Sequence, residues 1–495
     1  MTGTLLIQLA LAIPTLGALG IALTGFNRNL RETVTMITAG ALFWVVVLNL
    51  LPMILDGERP EWVAAEVFGG IEIAFSVEPL GMLFATIAST LWIVNSIYSI
   101  GYMRGNDEPR QTPFYICFAI AIAAAIGIAF SANLFTLFLC YEVLTISTYP
   151  LVTHKGNEEA RRKGRVYILL LMGTSIGLLL PAIIWTFVAS GTADFTPGGI
   201  LAGAGMTGLT LTLLYTLFVF GIGKAAVMPV HFWLPAAMVA PTPVSALLHA
   251  VAVVKAGVFC VVKITLYVFG LDLLGETGAS QPIAWIAGGT VILASIIALG
   301  QDNLKRRLAY STISQLSYVV MAAALATPLA IIGAALHILA HAVSKITLFF
   351  AAGSIYTAHH LTEVSQLDGL GRRMPLTFMA FLIGTVSLVG LPPLVGVWSK
   401  WWMGLGAAET GDYWAIAVLM IAGLLKVVYL LSIVARGFFL PLPGQNPNAP
   451  VTRAEAPLPI LIALTITSAL TILFFFAIDP VESLLLPILE VPDAQ

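Results

Sequence analysis

Charge is what this sequence has least of. Only 10% of its 495 residues are Asp, Glu, Lys or Arg, whereas 59% are hydrophobic. A soluble domain carries about 25% charged residues, so this chain cannot assemble a water-facing surface of ordinary size. With a mean hydropathy of +0.96, a lipid bilayer is the solvent that fits. The formal net charge of −2 supplies no basic surface for nucleic acid. Cysteine is scarce as well. Cys117, Cys140 and Cys260 lie in apolar segments with no CxxC or Cys/His spacing, which reads as packing rather than disulfide or metal chemistry. The chain has no Walker A loop, no nicotinamide fingerprint and no haem or iron–sulfur ligand pattern. No cofactor is therefore expected, and free energy has to come from an ion gradient or from a partner.

Long apolar runs fill the space that charge leaves. Marked off by Pro, Gly and charge clusters, fourteen have spanning length: 4–24, 33–55, 80–103, 113–131, 133–153, 165–189, 208–240, 243–270, 282–300, 306–327, 329–357, 375–401, 412–440 and 457–477. The first has no basic n-region and no small-residue cleavage site, so it reads as a membrane helix and not as a removed signal. The basic residues support the count. Of 23 Lys and Arg, sixteen fall in alternate connections: Arg28 and Arg31, Arg104 and Arg110, Lys155 to Arg165, Lys305 to Arg307, Arg372 and Arg373, and Arg436 with Arg453. The other connections hold Arg59 alone and are acidic, from Asp56 to Glu78, then Asp194, Asp272, Glu276, Glu409 and Asp412, with Asp479, Glu482, Glu490 and Asp493 in the tail. By the positive-inside rule both termini lie outside a cell membrane.

Six cations remain, Lys224, Lys255, Lys263, Lys345, Lys400 and Lys426, and each falls inside an apolar run. An intramembrane lysine costs about 2.5–3.5 kcal/mol on insertion scales, which points to function. Two runs are interrupted, the seventh by Pro229 and Pro235 and the twelfth by Gly390-Leu391-Pro392-Pro393. Proline removes a donor and breaks a helix, and broken helices at bilayer depth line polar cavities. The reading is an all-α polytopic membrane protein of about fourteen helices with discontinuous seventh and twelfth members. It divides into three N-terminal helices (1–112), a five-helix set (113–271), a second, inverted five-helix set (282–440), and a last helix with an acidic tail (457–495). The break falls in the fourth member of each set, a pattern of inverted-repeat transporters.

Within these runs the chemistry concentrates on a few residues. Glu142 is the one acidic residue clearly interior to a run, and Lys224 is its natural partner. The plainer alternative is a static ion pair. Lys255 lies near mid-membrane, with His249 six residues earlier as a relay or as a packing histidine. His337, His341 and Lys345 recur every four residues and so form one titratable stripe. Lys400 follows the second break, with snorkelling as the alternative. Lys263 reads as snorkelling, and Lys426 has no assigned partner. Ser311, Ser314, Gln315 and Tyr318 form a polar face that serves either water or interhelical hydrogen bonds.

The segments Gly221-Ile222-Gly223-Lys224, Met228-Pro229-Val230-His231-Phe232-Trp233-Leu234-Pro235 and Ala240-Pro241-Thr242-Pro243-Val244-Ser245-Ala246-Leu247-Leu248-His249-Ala250 carry a long resemblance. It extends through Asn303 to Ser311 and His337 to Phe350. The chain resembles the proton-conducting antiporter-like subunits of respiratory complex I, membrane-bound hydrogenases and Mrp-type multisubunit cation/proton antiporters. The resemblance implies a proton path through Glu142, Lys224, His249, Lys255, His341, Lys345 and Lys400, with His337 and Lys426 carried weakly. It implies other hydrophobic subunits as partners, and protons and Na+ as the ions moved. Within the family, Lys400 in place of a glutamate and the short stretch after the fourteenth run are similar to the D subunit of an Mrp sodium/proton antiporter. A proton channel within a redox-driven complex is the second expectation, and a scaffold whose buried charges only register helices is the third.

Overall fold

The structure, a computed structural model, describes residues 1–68, 70–442 and 452–489. Glu490 and Asp493 of the expected acidic tail lie outside these residues. Every one of the fourteen apolar runs has a helical counterpart, and eleven described helices are long and apolar enough to cross a membrane. In order they are α1 (Gly3–Leu23), α2 (Arg28–Leu55), α3 (Pro79–Gly105), α4 (Gln111–Phe130), α5 (Leu134–Val152), α6 (Glu158–Ser190), α7 (Gly208–Gly221), α8 (Thr242–Phe269), α9 (Gln281–Leu299), α10 (Leu304–Ala324), α11 (Pro328–His359), α12 (Pro375–Val389), α13 (Gly396–Glu409), α14 (Tyr413–Phe439) and α15 (Leu458–Phe476). Of these, α7, α10, α12 and α13 fall outside the eleven. Three of those four are pieces of the two broken segments, which proline shortens.

Helix starts follow short polar residues. Asn27, Asn133, Asn157, Asn303 and Thr327 each accept a backbone N–H from the first turn of α2, α5, α6, α10 and α11. Asn157 starts α6 at Glu158, so the basic stretch expected to be a connection up to 165 is largely its first two turns. The acidic loop before α3 also differs from expectation. It forms a hairpin, β1 (Glu61–Phe68) against β2 (Ile71–Ser76), antiparallel, with Trp62 stacked on Phe75 at 5.5 Å. Alternation of Ile71, Ile73 and Phe75 with polar or small residues gives the strand period, a signal that a search for long apolar runs passes over.

Two helices form the centre. The apolar windows of α8 and α11 are 100% and 94% buried. Around α11 pack α3, α8, α10, α12, α13 and α15. Alternate connections gather on two faces. On one, Lys155 and Lys163 meet Lys305 and Arg306 around a cavity. On the other, β2 bridges Ser131, and Asn133 bridges Asp194.

His154, in the turn after α5, is buried, with its Nε2 3.7 Å from a Glu108 carboxylate oxygen. Burial nevertheless pushes its imidazole from 6.5 down to about 4, and the Arg110 guanidinium adds to the effect. A folded value below the unfolded one means that the opened turn binds a proton which the closed turn rejects. The stability held by neutral His154 is complete above pH 6.5 and is lost as pH falls toward 4. Amide hydrogen exchange at 153–156 is expected to accelerate across that window relative to neighbouring turns, and His154→Gln to remove the dependence.

Candidate functional site

Helix breaks position both end lysines. After α7 the chain leaves the helix at Ile222, makes a tight turn over Gly223–Ala225 and re-forms one helical turn at Trp233–Ala236. Gly257 of α8 lies against this turn: a Cβ there would come 2.4 Å from the Lys224 carbonyl carbon. The Lys224 Nζ donates to the Tyr141 carbonyl at 2.8 Å and to Thr145 Oγ1 at 2.6 Å, and sits 3.0 Å from the Tyr141 ring centroid. Glu142 is the main charge acting on Lys224 but acts through space, without direct contact. Among the described residues no ion pair joins Glu142 to Lys224, and neither carboxylate oxygen has a hydrogen-bond partner. The reason lies in helix period. Tyr141 and Thr145 are four residues apart and share the inward face. Glu142 shares a face with Leu139 and Ile146, which are exposed.

The second break frees carbonyls at the end of α12. Gly390 takes a left-handed conformation, φ 92°, and the chain re-forms helix at Gly396. Lys400 reaches back so that its Nζ donates to the Leu388 carbonyl at 2.5 Å and to the Val389 carbonyl as well. A cation at a helix C-terminus is favoured by the dipole.

Between the two breaks run α8, α11 and α10. Lys255 Nζ lies 2.5 Å from His341 Nδ1. The His341 and His337 rings stand 6.0 Å apart, nearly parallel at 21°. His337 contacts Ser399 Oγ at 2.8 Å through Nδ1 and Gln315 Oε1 at 2.9 Å through Nε2. Ser399 immediately precedes Lys400. Lys345 donates to Ser311 Oγ at 2.9 Å. Lys426, unpartnered in the sequence reading, donates to the Tyr318 hydroxyl at 2.6 Å. The Tyr318 ring also lies 5.8 Å from His337 and 5.9 Å below the Lys400 Nζ. The polar face of α10 thus serves the row through Ser311, Gln315 and Tyr318, while Ser314 bonds Ser295 of α9.

The structure adds detail at His249 and corrects the snorkelling expectation for Lys263. His249 does not contact Lys255: six residues on, a helix has turned about 240°, and a wider turn over Leu247–Val251 intervenes. Its ring packs 4.7 Å from Phe349, fully buried, with neither nitrogen bonded to protein. Lys263 does not snorkel. It is 1% exposed, pairs with Glu78 at 2.6 Å and donates to the Ser131 carbonyl at 2.8 Å. The hairpin and the α4–α5 connection fold over the end of α8 and bring these acceptors. Sequence reasoning also missed Tyr141, Thr145 and Ser399 as partners. The hydroxyls of Thr145 and Ser399, placed among apolar neighbours, were the available signal.

These features define a multi-pass membrane protein with a buried row of titratable groups between two broken helices. The chain belongs to the family of NADH:quinone oxidoreductase and Mrp antiporter transmembrane subunits, whose pattern matches residues 131–426. It is 30% identical over 424 residues to NADH-quinone oxidoreductase subunit N of Desulforudis audaxviator, covering 83% of this chain and 82% of that one. It is 32% identical over 428 residues to NAD(P)H-quinone oxidoreductase chain 5 of a Picosynechococcus species, covering 80% of this chain and 62% of that one. The chain thus spans about three fifths of the length of the chain 5 relatives. Among solved structures, a chain of an archaeal membrane-bound sulfane sulfur reductase superposes with a TM-score of 0.86 at 25% identity, covering 98% of both chains. A chain of the Mrp complex from Dietzia sp. superposes with a TM-score of 0.85 at 20% identity, covering 100% of this chain and 98% of that one.

Removing one partner of a buried ion pair costs about 3–5 kcal/mol, whereas neutralising both costs far less. Lys263→Met or Glu78→Gln alone is expected to lower the unfolding temperature of the purified protein clearly, and Lys263→Met/Glu78→Gln to recover most of the loss. Additive losses would show that the pair carries no coupling. For the row, Tyr318→Phe keeps the ring and deletes the acceptor of Lys426, a charged hydrogen bond worth about 1.5–3 kcal/mol. The purified variant is expected to melt at a clearly lower temperature than wild type, and an unchanged melting temperature would show that the contact carries no stability.

Proposed function

We propose that this chain is the proton-translocating subunit of a multisubunit sodium/proton antiporter, with Glu142, Lys224, His249, Lys255, His337, His341, Lys345 and Lys400 as its path. The observation that carries this reading is the string of contacts Lys255–His341, His341–His337 and His337–Ser399, which leads from α8 across α11 to the neighbour of Lys400. A lysine 2.5 Å from an imidazole nitrogen shares a proton with it, because two positive charges at that distance in an apolar interior repel strongly. A proton arriving at one base therefore displaces one onward. Lys224 and Lys400 end the row in shells of carbonyl and hydroxyl oxygens, which accept from an ammonium. Lysine ammonium groups only donate, whereas a hard cation needs several oxygen ligands. The row thus suits protons better than a hard cation.

The antiporter assignment draws on the superposition with the Mrp complex chain, which extends over this entire chain, and on lysine at position 400. Its partners are then other hydrophobic Mrp-type subunits in a cell membrane, with both termini outside. A second reading is favoured by the named relatives, which are quinone oxidoreductase subunits: the same proton path within a redox-driven complex. Purification of the native complex followed by subunit mass spectrometry and flavin and iron assays separates the two. Small hydrophobic partners without flavin or iron support the antiporter; flavin, iron–sulfur clusters and large hydrophilic subunits support the redox pump.

Lys224→Ala tests the path itself. The complex is expected to assemble at normal yield and to lose at least about 90% of its proton movement, since general acid–base groups contribute about 10²–10⁴-fold. Wild-type transport in the assembled variant would sink the path, and failed assembly with no transport defect per assembled complex would leave a scaffold role.

A further inference from the structure

We propose that a cleft between α6, the broken segment after α7 and the start of α10 binds the phosphate of an anionic phospholipid. A cavity of about 560 Å³ opens on the face where the basic connections gather. A second, of about 330 Å³, continues from it and shares Lys163, Arg306 and the wall at Pro235 and Ala236. The far end of this second cavity reaches Val166 and Phe232, apolar side chains that are 36% and 57% exposed. The cleft therefore runs from a polar mouth to the lateral apolar surface of a membrane protein.

Its charges are unbalanced where a ligand would sit. The side chains of Lys155, Lys163 and Arg306 make no hydrogen bond or ion pair among the described residues. Two of the acids that line the mouth are already held by their own loops. Asp302 accepts from the Ser365 N–H at 2.9 Å and its hydroxyl at 2.6 Å, and Glu363 accepts from Asn303 Nδ2 at 3.1 Å. The lining carries four cations, Lys155, Lys163, Lys305 and Arg306, against the three carboxylates Glu159, Asp302 and Glu363, so one positive charge is left over for a ligand. Basic pockets between membrane helices on the positive side select anionic lipid headgroups. A soluble anion explains the cations but not the apolar lateral end, where an acyl chain lies along Phe232 and Val166.

The location gives the site a consequence. Trp233 and Ala236 belong to the one helical turn that re-forms after the break, and Trp233 Nε1 donates to the Gly223 carbonyl at 2.9 Å. Lys224 is the next residue. A lipid seated against Phe232 and Ala236 braces the turn that places Lys224. This inference requires only membership of the family and holds whichever complex the chain serves.

The test uses the whole complex in nanodiscs of phosphatidylcholine with or without phosphatidylglycerol, and counts phosphatidylglycerol retained through dilution by native mass spectrometry. Wild type is expected to retain one more than Lys163→Gln/Arg306→Gln, whose site is about 30-fold weaker with two surface cations removed. Lys163→Arg/Arg306→Lys is expected to restore it, which separates lost charge from lost folding. Equal retention by wild type and the double glutamine variant overturns the proposal. So does protection of Lys163 from acetylation by inorganic phosphate as strong as that by phosphatidylglycerol. Photocrosslinking from Phe232→p-benzoylphenylalanine to a protein subunit in place of lipid overturns it too.

Discussion

The structure depends on one constraint: a lysine buried among apolar helices has to find its acceptors on a neighbouring helix, because its own helix has none to spare. Four of the six intramembrane lysines obey it directly. Lys224 takes a carbonyl and a hydroxyl of α5, Lys255 takes His341 of α11, Lys345 takes Ser311 of α10, and Lys426 takes Tyr318 of α10. These contacts cross between helices, so they fix which helices are neighbours and in what rotation. The burial of α8 and α11 at the centre follows from the same demand. The two helices that carry the most buried lysines and histidines are the two most withdrawn from lipid.

The broken helices supply what continuous ones withhold. In an intact helix every mid-span carbonyl is engaged by an N–H four residues on. Pro392, Pro393 and the left-handed Gly390 end that ladder, and the carbonyls of Leu388 and Val389 turn to Lys400. Lys224 uses a break differently, since it sits within the turn and reaches across to α5. The absence of a side chain on Gly257 is what lets that turn press against α8. The two sites are alike in lying beside a helix break and unlike in chemistry, one fed by a neighbour and one by its own severed helix.

Much of this was legible in the sequence, and the boundary of what was not has a physical basis. The lysines announced themselves, because any charge in an apolar run is conspicuous against its surroundings. The stripe His337, His341, Lys345 was legible because helical period is a one-dimensional property. Partners were not legible, because contacts between helices depend on rotation and depth that composition does not encode. Hence Glu142 was paired with Lys224 by charge alone, although Tyr141 and Thr145 face it. Lys263 was read as snorkelling by its distance along α8, although Glu78, far away in sequence, folds back to meet it. The hairpin at 61–76 was missed because a short alternating pattern is faint beside runs of twenty apolar residues.

Glu142 shows what a single chain leaves open to its surroundings. Its carboxylate oxygens are shielded from solvent yet bond no donor, and the residues above and below it on α5, Leu139 and Ile146, are exposed apolar side chains. A buried acceptor without a donor costs about 1–3 kcal/mol, and more when charged. Within this chain the nearby cation does not meet that cost, since Lys224 is engaged by Tyr141 and Thr145. The two ends of the row therefore differ in kind: severed carbonyls surround the Lys400 ammonium, whereas a neighbouring helix supplies the acceptors of Lys224. Related chains in solved structures stand within multisubunit membrane complexes.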